Sequence, residues 1–299
     1  MTYLIADSGS TKTSWVYIDG DQRQEFETLG INPVRDSEEE IEKNLPLSLS
    51  KGEGVLPIDS GNVNTPLANR EGLGVSLEVF FYGAGCIPPY SDVVKRVLER
   101  QFPQAEIHVE SDLLGAAHAL CGNEKGIACI LGTGSNSCLY DGKCIVENVS
   151  PLGWILGDEG SGAVLGRLLV GNVLKSQFSP ALCQAFTDET GLTRTDIINK
   201  VYRETLPNRF LASLVPFLGR HRDEPEIHEF LIGEFRRFLH RNVAQYHHRP
   251  DLPVSFVGGI AYSYADELRE ALRLEGMTLG RIMKRPIDGM IEYLTSFKH

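Results

Sequence analysis

An internal repeat constrains the fold of this chain more than any other feature of its sequence. Residues 4–20 read LIADSGSTKTSWVYIDG, and residues 129–142 read CILGTGSNSCLYDG. Each copy has an apolar run, a short turn of Gly, Ser and Thr, a second apolar run and then Asp-Gly. This layout is typical of a β-hairpin. Two hairpins so far apart in the chain predict two lobes of the same design.

The remainder of the chain predicts an α/β fold of alternating strands and helices. Short apolar runs predict strands at residues 79–82, 107–109, 127–131 and 254–257. Apolar residues at helical spacing predict helices at residues 93–98, 112–121, 161–175, 227–238 and 263–274. The segment 45–77 is rich in Gly, Pro, Ser and Asn, and its weak periodicity indicates a loop.

The division into lobes follows from the position of the second hairpin. We expect a first lobe of residues 1–113 and a second lobe of residues 114–280. A C-terminal helix within residues 281–299 is predicted by the helical spacing of its apolar residues, Ile287, Met290, Ile291 and Leu294. We expect that helix to pack back on the first lobe.

Composition and charge exclude some partners and locations. The formal charge of −11 argues against binding nucleic acid or an anionic membrane over a broad surface. The six cysteines form no Cys-x-x-Cys pair, which favours a reducing compartment. No charged leader precedes the first apolar run, and no run reaches the roughly 18 apolar residues of a membrane helix. We therefore expect a cytoplasmic protein.

The first hairpin turn, Asp7–Thr13, reads DSGSTKT and is not a Walker A loop, because it leads into a strand rather than a helix. A turn of small residues can direct backbone N–H groups and hydroxyls toward phosphate oxygens. Asp7, at the end of the first strand, could hold Mg²⁺ directly or through water. The alternative is a plain turn, since Gly and Ser are common turn residues.

The second turn, Gly132–Ser137, reads GTGSNS. Aligned on the Gly-Ser pairs of the two copies, Gly132 takes the place of Asp7. One hairpin then carries an acid and the other does not, as a nucleotide clamp requires. One turn would serve the metal, and the other would serve phosphate oxygens alone.

Asp112 follows a predicted strand and begins the helix that leads into the second hairpin. A carboxylate there could accept the proton of an attacking sugar hydroxyl during phosphoryl transfer. The alternative is a helix N-cap, a position that favours Asp. Ser111 could take that position instead and leave Asp112 available.

Two further glycine-rich motifs could contact ligands. In GWILGDEGSG, residues 153–162, the adjacent acids Asp158 and Glu159 could bond ligand hydroxyls or could stabilise a helix N-terminus. Trp154 could stack on a sugar face or belong to the core. In VGGI, residues 257–260, the glycines could let backbone approach a base or a ribose, although strand–Gly–helix turns are common.

Seven motifs occur in an order that resembles the N-acetylglucosamine kinase branch of the actin-like ATPases, which is grouped with the BadF/BadG/BcrA/BcrD ATPases. In chain order they are DSGSTKT, GINP at residues 30–33, YGAGC at 82–86, SDLLGAA, GTGSNS, GWILGDEGSG and VGGI. The resemblance covers nearly all of the chain except residues 45–77. It implies a two-lobed actin-like fold with a duplicated ribonuclease H-like motif and mixed sheets flanked by helices, with ATP and sugar bound between the lobes.

The resemblance also implies roles for individual residues. It places Asp7 at Mg²⁺ and makes Asp112 the catalytic base, which also holds the sugar. Contacts with ATP are implied for the following residues: Gly9, Ser10, Thr11, Lys12, Thr133, Gly134, Gly258, Gly259 and Ser263. Contacts with the sugar are implied for the following residues: Asn32, Ser135, Asn136, Gly153, Trp154 and Asp158.

The expected activity is ATP-dependent phosphorylation of an amino sugar. The first expectation is N-acetylglucosamine converted to its 6-phosphate, and glucosamine, N-acetylmannosamine and a muramic acid derivative stay open as acceptors. The partners are then the sugar and ATP, and dimers are common among similar proteins. One alternative is an activator ATPase of a radical dehydratase, which would need a cysteine at a dimer face. A second is a non-catalytic sugar sensor, although Asp7 lies too early for a preceding helix-turn-helix. A third is a filament-forming protein, against which the GINP and GDEGSG motifs argue.

Overall fold

The computed structural model describes residues 2–9, 11–46 and 77–296. Continuous runs of buried side chains at residues 3–6 and 13–17 form the first two strands, which pair as an antiparallel hairpin. The loop expected at residues 45–77 lies, from residue 47 to residue 76, outside the described residues, as does Ser10. The strands of the first sheet are β1 (Thr2–Ser8), β2 (Lys12–Asp19), β3 (Gln22–Leu29), β4 (Leu77–Gly83) and β5 (Glu106–Ser111). Their order across the sheet is β3-β2-β1-β4-β5.

Two helices cover one face of the first sheet, α1 (Glu38–Asn44) and α2 (Ser91–Gln101). Ser37 begins α1 with a capping box, in which Ser37 and Glu40 each bond the other's backbone N–H. Val94 and Leu98 of α2 are fully buried in the same cluster as Phe81 of β4. This cluster holds the strands whose ends carry the candidate residues.

The register of the parallel strands brings three chain segments to one edge of the first sheet. β1 pairs with β4 in parallel, and β4 pairs with β5 in parallel, so that Ser8, Gly83 and Ser111 lie in one row. Each is the last residue of its strand. Helix α3 (Asp112–Cys121) begins directly after this row.

The second sheet repeats the connectivity of the first. Its strands are β6 (Gly126–Leu131), β7 (Ser135–Tyr140), β8 (Ile145–Val149), β9 (Val254–Val257) and β10 (Leu279–Met283). Their order is β10-β9-β6-β7-β8, with β6, β7 and β8 antiparallel and β6, β9 and β10 parallel. Read from the opposite edge, this order matches the first sheet strand for strand. The predicted duplication of an α/β design with mixed sheets is confirmed.

The helices of the second half are α4 (Gly153–Leu156), α5 (Gly162–Leu174), α6 (Pro180–Thr190), α7 (Arg194–Tyr202), α8 (Pro207–Ser213), α9 (Pro216–Arg220), α10 (Pro225–Arg241), α11 (Gly259–Ser263), α12 (Ala265–Leu274) and α13 (Ile287–Ser296). Leu231, Phe235 and Phe238 of α10 are fully buried in one cluster with Phe256 of β9. The predicted stripe of α10 is therefore core.

Some elements differ from the sequence-based expectation. The helix expected at residues 263–274 begins at Ala265 as α12, whereas Ser263 ends the short helix α11, and Tyr264 separates the two. The buried Tyr264 hydroxyl donates to Val215 O at 2.8 Å. Strands β3, β8 and β10 were not predicted. Each lies at or next to a sheet edge, where exposed polar residues weaken the apolar pattern that marks a buried strand.

The chain divides into two compact units, Met1–Gly115 and Ala116–His299, and the division falls within α3. Helix α13 groups with the second unit, where the ring of Tyr293 stacks on His118 of α3 with centroids 3.9 Å apart. The assignment of α13 to the first lobe, with boundaries at residues 113 and 280, stays a prediction. None of the helices among the described residues is long and apolar enough to cross a membrane.

Candidate active site

Asp7 lies at the carboxyl edge of the first sheet, one residue before the end of β1. It pairs with Tyr82 of β4, and its side chain is partly exposed. No group of three or more His, Cys, Asp or Glu within the described ranges could hold a metal ion by itself. A single carboxylate at a strand end fits Mg²⁺, which commonly binds one or two carboxylates together with nucleotide phosphates and water.

The first hairpin turn is fixed to the GINP segment by hydrogen bonds. Gly9 N–H donates to Lys12 O at 3.0 Å, and Gly30 N–H donates to Thr11 O at 3.1 Å. The buried hydroxyl of Ser8 accepts the N–H of Ile31 at 3.0 Å and donates to Ile31 O at 3.1 Å. These bonds hold the residue that follows Ile31 beside the turn.

Asn32 has its side-chain oxygen engaged in its own loop, where it accepts the N–H of Val34 at 3.0 Å. The same oxygen lies against Gly85 of the YGAGC motif, 2.5 Å from where a β-carbon on Gly85 would stand. Ala84 N–H in turn donates to Ser8 O at 2.8 Å. GINP, YGAGC and the end of β1 therefore meet, and the bonded oxygen orients the Asn32 amide.

Thr11 and Lys12, expected to line the phosphates, are exposed at the turn. The Lys12 ammonium forms an ion pair with Glu27 of β3. To contact a phosphate, the Lys12 ammonium would have to leave Glu27 or to bond Glu27 and the phosphate at the same time.

Asp112 is not the cap of helix α3. The Leu114 N–H donates to the Ser111 hydroxyl at 3.2 Å, so that Ser111 fills the capping position. Burial raises the pKa of the Asp112 carboxyl to about 6, although hydrogen bonds from the backbone of Leu113 and Asp112 oppose the shift. Burial, with a smaller contribution from Asp112, also raises the pKa of the neighbouring Cys86 thiol to about 12. Asp112 is thus a partly buried carboxylate beside a neutral thiol.

Hydrogen bonds from the first residues of helix α5 hold the second turn in place. Gly162 N–H donates to Gly132 O at 2.8 Å, and Ala163 N–H donates to Thr133 O at 3.0 Å. Gly132 N–H donates to Gly134 O at 2.9 Å. Two turn carbonyls therefore bond the start of the helix, and these bonds fix the backbone of the turn.

The expected equivalence of Gly132 and Asp7 is wrong, because the strand pairing places a different residue at the position of Asp7. Ser8 pairs with Thr13 at the first turn, whereas Leu131 pairs with Ser135 at the second, so the first turn is one residue longer. Asp7 is the next-to-last residue of β1, and Ile130 holds that place in β6. The first hairpin still carries an acid that the second hairpin lacks, because Ile130 has no carboxylate.

The adjacent acids of the GDEGSG motif face different surroundings. Burial raises the pKa of the Asp158 carboxyl to about 6, against a hydrogen bond from the Ser135 backbone that lowers it. Glu159 is buried, forms an ion pair with Arg241 and accepts from Asn242 Nδ2 at 3.3 Å. Glu159 is therefore bonded to partners within the fold, whereas Asp158 is the acid that lies beside the second turn.

The backbone at Asp158 is unusual, with a φ of 51°. Asp158 N–H donates to Pro151 O at 2.9 Å, and Ser161 N–H donates to Asp158 O at 3.1 Å. A non-glycine residue held at positive φ costs free energy and is common at functional sites. The surrounding bonds enforce this conformation.

Other predicted sugar contacts are placed less distinctively. Trp154 packs against the core of the second unit, in agreement with its interpretation as a core residue. Gly153 is exposed at a φ of 74°. Ser135 is buried, and Asn136 Oδ1 accepts Asn148 Nδ2 at 2.9 Å within the sheet.

Gly258 holds three strand ends together. Its φ is +125°, and a β-carbon there would stand 2.2 Å from Leu131 O, so only glycine fits. Gly258 N–H donates to Met283 O at 3.0 Å. Gly259 and Ser263 are exposed on α11, and nothing lies within 4 Å of a β-carbon position on Gly259. The space beside Gly259 is open to a ligand.

Comparison with solved structures places the chain among known proteins. It is 44% identical to a candidate N-acetylglucosamine kinase from Porphyromonas gingivalis, with a TM-score of 0.86 over 98% of this chain and 99% of that chain. The chain belongs to the family of this candidate N-acetylglucosamine kinase. No protein-family model matches it, and no curated protein matches it.

More distant structures share the fold of this N-acetylglucosamine kinase family member. A candidate N-acetylglucosamine kinase from Chromobacterium violaceum is 19% identical, with a TM-score of 0.71 over 98% of both chains. A non-polymerising mutant of MamK bound to AMPPNP is 13% identical, with a TM-score of 0.53 over 100% of this chain and 99% of that chain. The predicted actin-like fold is confirmed.

Several supporting residues of this family member were not found from the sequence. Ser8 was part of a recognised motif, but its bonds to Ile31 depend on tertiary contact. Lys284, directly after β10, had no motif and follows a strand that was not predicted. Gly30 and Gly85 lie within the GINP and YGAGC motifs, but the need for glycine there appears only in the structure, where a β-carbon would stand 2.4 Å from Gly9 O and 2.5 Å from Asn32 Oδ1.

Proposed function

We propose that this protein transfers the terminal phosphoryl group of ATP to an amino sugar, converting N-acetylglucosamine to its 6-phosphate. Family membership supports a sugar kinase, through 44% identity to the Porphyromonas gingivalis protein. The placement of Asp112 carries the chemistry. This carboxylate lies at the sheet edge that also presents Asp7, and Ser111 releases it from capping the helix.

The proposed reaction needs a proton acceptor at the sugar hydroxyl. The hydroxyl oxygen forms a bond to the γ-phosphorus, the bond between that phosphorus and the β,γ-bridging oxygen breaks, and ADP leaves. The hydroxyl proton passes to the Asp112 carboxylate. A pKa of about 6 leaves that carboxylate mostly ionised at neutral pH and keeps it more basic than an exposed Asp.

The other residues bind and orient the substrates. In the first unit, Asn32 would bond the sugar through its oriented amide, and the turn at Gly9 and Thr11 would contact phosphates. Ser10 would belong to the same turn, outside the described residues. Asp7 would hold Mg²⁺, which neutralises phosphate charge when bound.

The second unit would supply the remaining contacts. The N–H groups of Thr133 and Gly134 would contact phosphate oxygens, at a turn whose backbone is fixed by bonds to α5. Asp158 would accept bonds from sugar hydroxyls, and Gly259 with Ser263 would contact the nucleoside.

The deciding experiment measures ADP release with ATP, Mg²⁺ and a panel of sugars. The panel contains N-acetylglucosamine, glucosamine, N-acetylmannosamine, N-acetylmuramic acid and glucose. We expect sugar-dependent ADP release, greatest with N-acetylglucosamine, and a phosphate ester at the 6-position by NMR. ATP turnover that no sugar stimulates would contradict the proposal and favour an activator-type ATPase.

A matched control separates the enzyme from a contaminating kinase. Asp112→Asn and Glu110→Gln each remove one carboxylate. The two residues are two positions apart in the chain, at the carboxyl end of β5. We expect the first to lose turnover and the second to keep it. Equal activity of both variants would assign the turnover to something other than Asp112.

A further inference from the structure

The carboxyl edge of the second sheet gathers more than the predicted glycines. Ile130, Val257 and Met283 lie in one row across the parallel strands β6, β9 and β10. The chain then continues into the second turn, into Gly258 and into Lys284. Ligands of open α/β sheets commonly bind outside the carboxyl ends of the strands.

Helix α11 presents one open face at this edge. Gly259, Tyr262 and Ser263 are exposed and lie three and four residues apart, on one side of the helix, while Ala261 is buried. Tyr262 is 55% exposed, so its ring is accessible at this face of the helix. The same face carries the open space beside Gly259.

Lys284 lies over the ring of Tyr262. Its ammonium is 5.9 Å from the ring centroid, within the range of a cation–π interaction. Lys284 comes from the end of β10, and Tyr262 comes from α11 after β9, so two strand ends supply the pair. The ammonium over one face restrains the ring, which remains partly accessible to solvent.

We propose that Tyr262 stacks on the adenine base of the nucleotide and that Lys284 orients the Tyr262 ring for this contact. The inference rests on the proposed function, which places a nucleotide at Gly258, Gly259 and Ser263. It adds the residue that recognises the base. If the phosphates bind at the turn beside Gly134 and the nucleoside lies over Gly259, the base would lie toward the exposed face of α11.

Stacking on an aromatic ring favours large planar bases and needs no hydrogen-bond donor. Loss of such a contact weakens binding about 5- to 100-fold. A purine offers a larger face than a pyrimidine, so Tyr262 would also favour ADP over UDP. If Tyr262 were only an exposed side chain in contact with Lys284, it would neither strengthen ADP binding nor favour ADP over UDP.

The test measures ADP and UDP affinity by calorimetry with Mg²⁺ present, using the full chain. We expect Tyr262→Ala to weaken ADP binding about 5- to 100-fold, to narrow the preference for ADP over UDP and to leave N-acetylglucosamine affinity unchanged. Tyr262→Phe should keep wild-type affinity, and Lys284→Met should fall between them. Tyr202→Ala is the matched control, since Tyr202 is 76% exposed at the end of α7.

Each outcome decides between the proposals. Unchanged ADP affinity in Tyr262→Ala would overturn the stacking role and leave the proposed kinase intact. Equal loss of ADP and UDP affinity would mean that Tyr262 supports the phosphates rather than the base, and would also overturn it. A wild-type protein that binds no ADP would overturn the proposed function itself, and this inference with it.

Discussion

The carboxylate of Asp158 lies against Gly134, where a β-carbon would stand 3.1 Å from Asp158 Oδ2. The Ser135 backbone also donates a hydrogen bond to that carboxylate. The GDEGSG acid and the second hairpin turn therefore form one structural unit. A group added to the turn would move the acid, because a contact that short forces its neighbour to shift.

We expect Gly134→Ala to raise the KM for the sugar several-fold by displacing Asp158, with a smaller effect on folding. Steady-state kinetics and thermal unfolding measure the two effects. Gly171→Ala is a suitable control, because nothing lies within 4 Å of a β-carbon position there and alanine favours the interior of α5. A Gly134→Ala enzyme with wild-type KM would contradict the expected displacement of Asp158 from the sugar.

Asp112→Asn and Asp158→Asn should have different kinetic signatures. We expect Asp112→Asn to lower kcat about 10²- to 10⁴-fold while ATP still binds, because it removes the proton acceptor. Asp158→Asn should mainly raise the KM for sugar, since it removes a contact away from the reacting atom. Near-full turnover of Asp112→Asn would transfer the role of base to another carboxylate, with Asp158 the first candidate.

The raised pKa of Asp112 predicts opposite effects on activity and stability. Activity should rise as pH increases through about 6, where the base loses its proton. The folded state holds that proton more tightly than the unfolded state, so stability should fall as pH rises from 3.8 to about 6. Asp112→Asn should therefore be about 1–3 kcal/mol more stable than wild type at pH 7.5. Urea unfolding at pH 5 and 7.5 would reveal whether the difference grows with pH.

Asp7→Asn should weaken the use of Mg-ATP and leave sugar affinity nearly intact, because the carboxylate serves the metal. Mg²⁺ titrations of kcat/KM for ATP, together with calorimetry for the sugar, measure the two effects. Asp19→Asn, at the far end of the same hairpin, is a matched control. Parallel losses of sugar and ATP binding would count against the metal role.

Arg241→Met should destabilise the second unit, because it leaves the buried carboxylate of Glu159 without its cation. Loss of one partner of a buried pair costs about 3–5 kcal/mol, and the half-exposed Arg241 should bring this to about 1–3 kcal/mol. Adding Glu159→Gln should recover part of the loss. A double variant as unstable as the sum of both single variants would mean that the two side chains are not coupled.

The hairpins and most buried elements could be predicted from the sequence alone. Local pattern is sufficient for β1 with β2 and β6 with β7, because each pair is closed by a short turn of small residues. The stripe of α10 has helical spacing, and its residues are fully buried. The edge strands β3 and β8 could not be found in this way, since most of their residues are exposed and leave little apolar pattern in the sequence.

The sequence by itself determined the duplicated design, the motifs and the identity of the candidate acids, because those features reside in residues close together along the chain. Only the tertiary structure decided that Ile130 matches Asp7, that Asp158 lies against Gly134 and that Lys284 lies over Tyr262. Those relationships depend on strand register and on packing between distant segments. Local propensity does not encode them, since a one-residue change in turn length shifts every equivalence that follows.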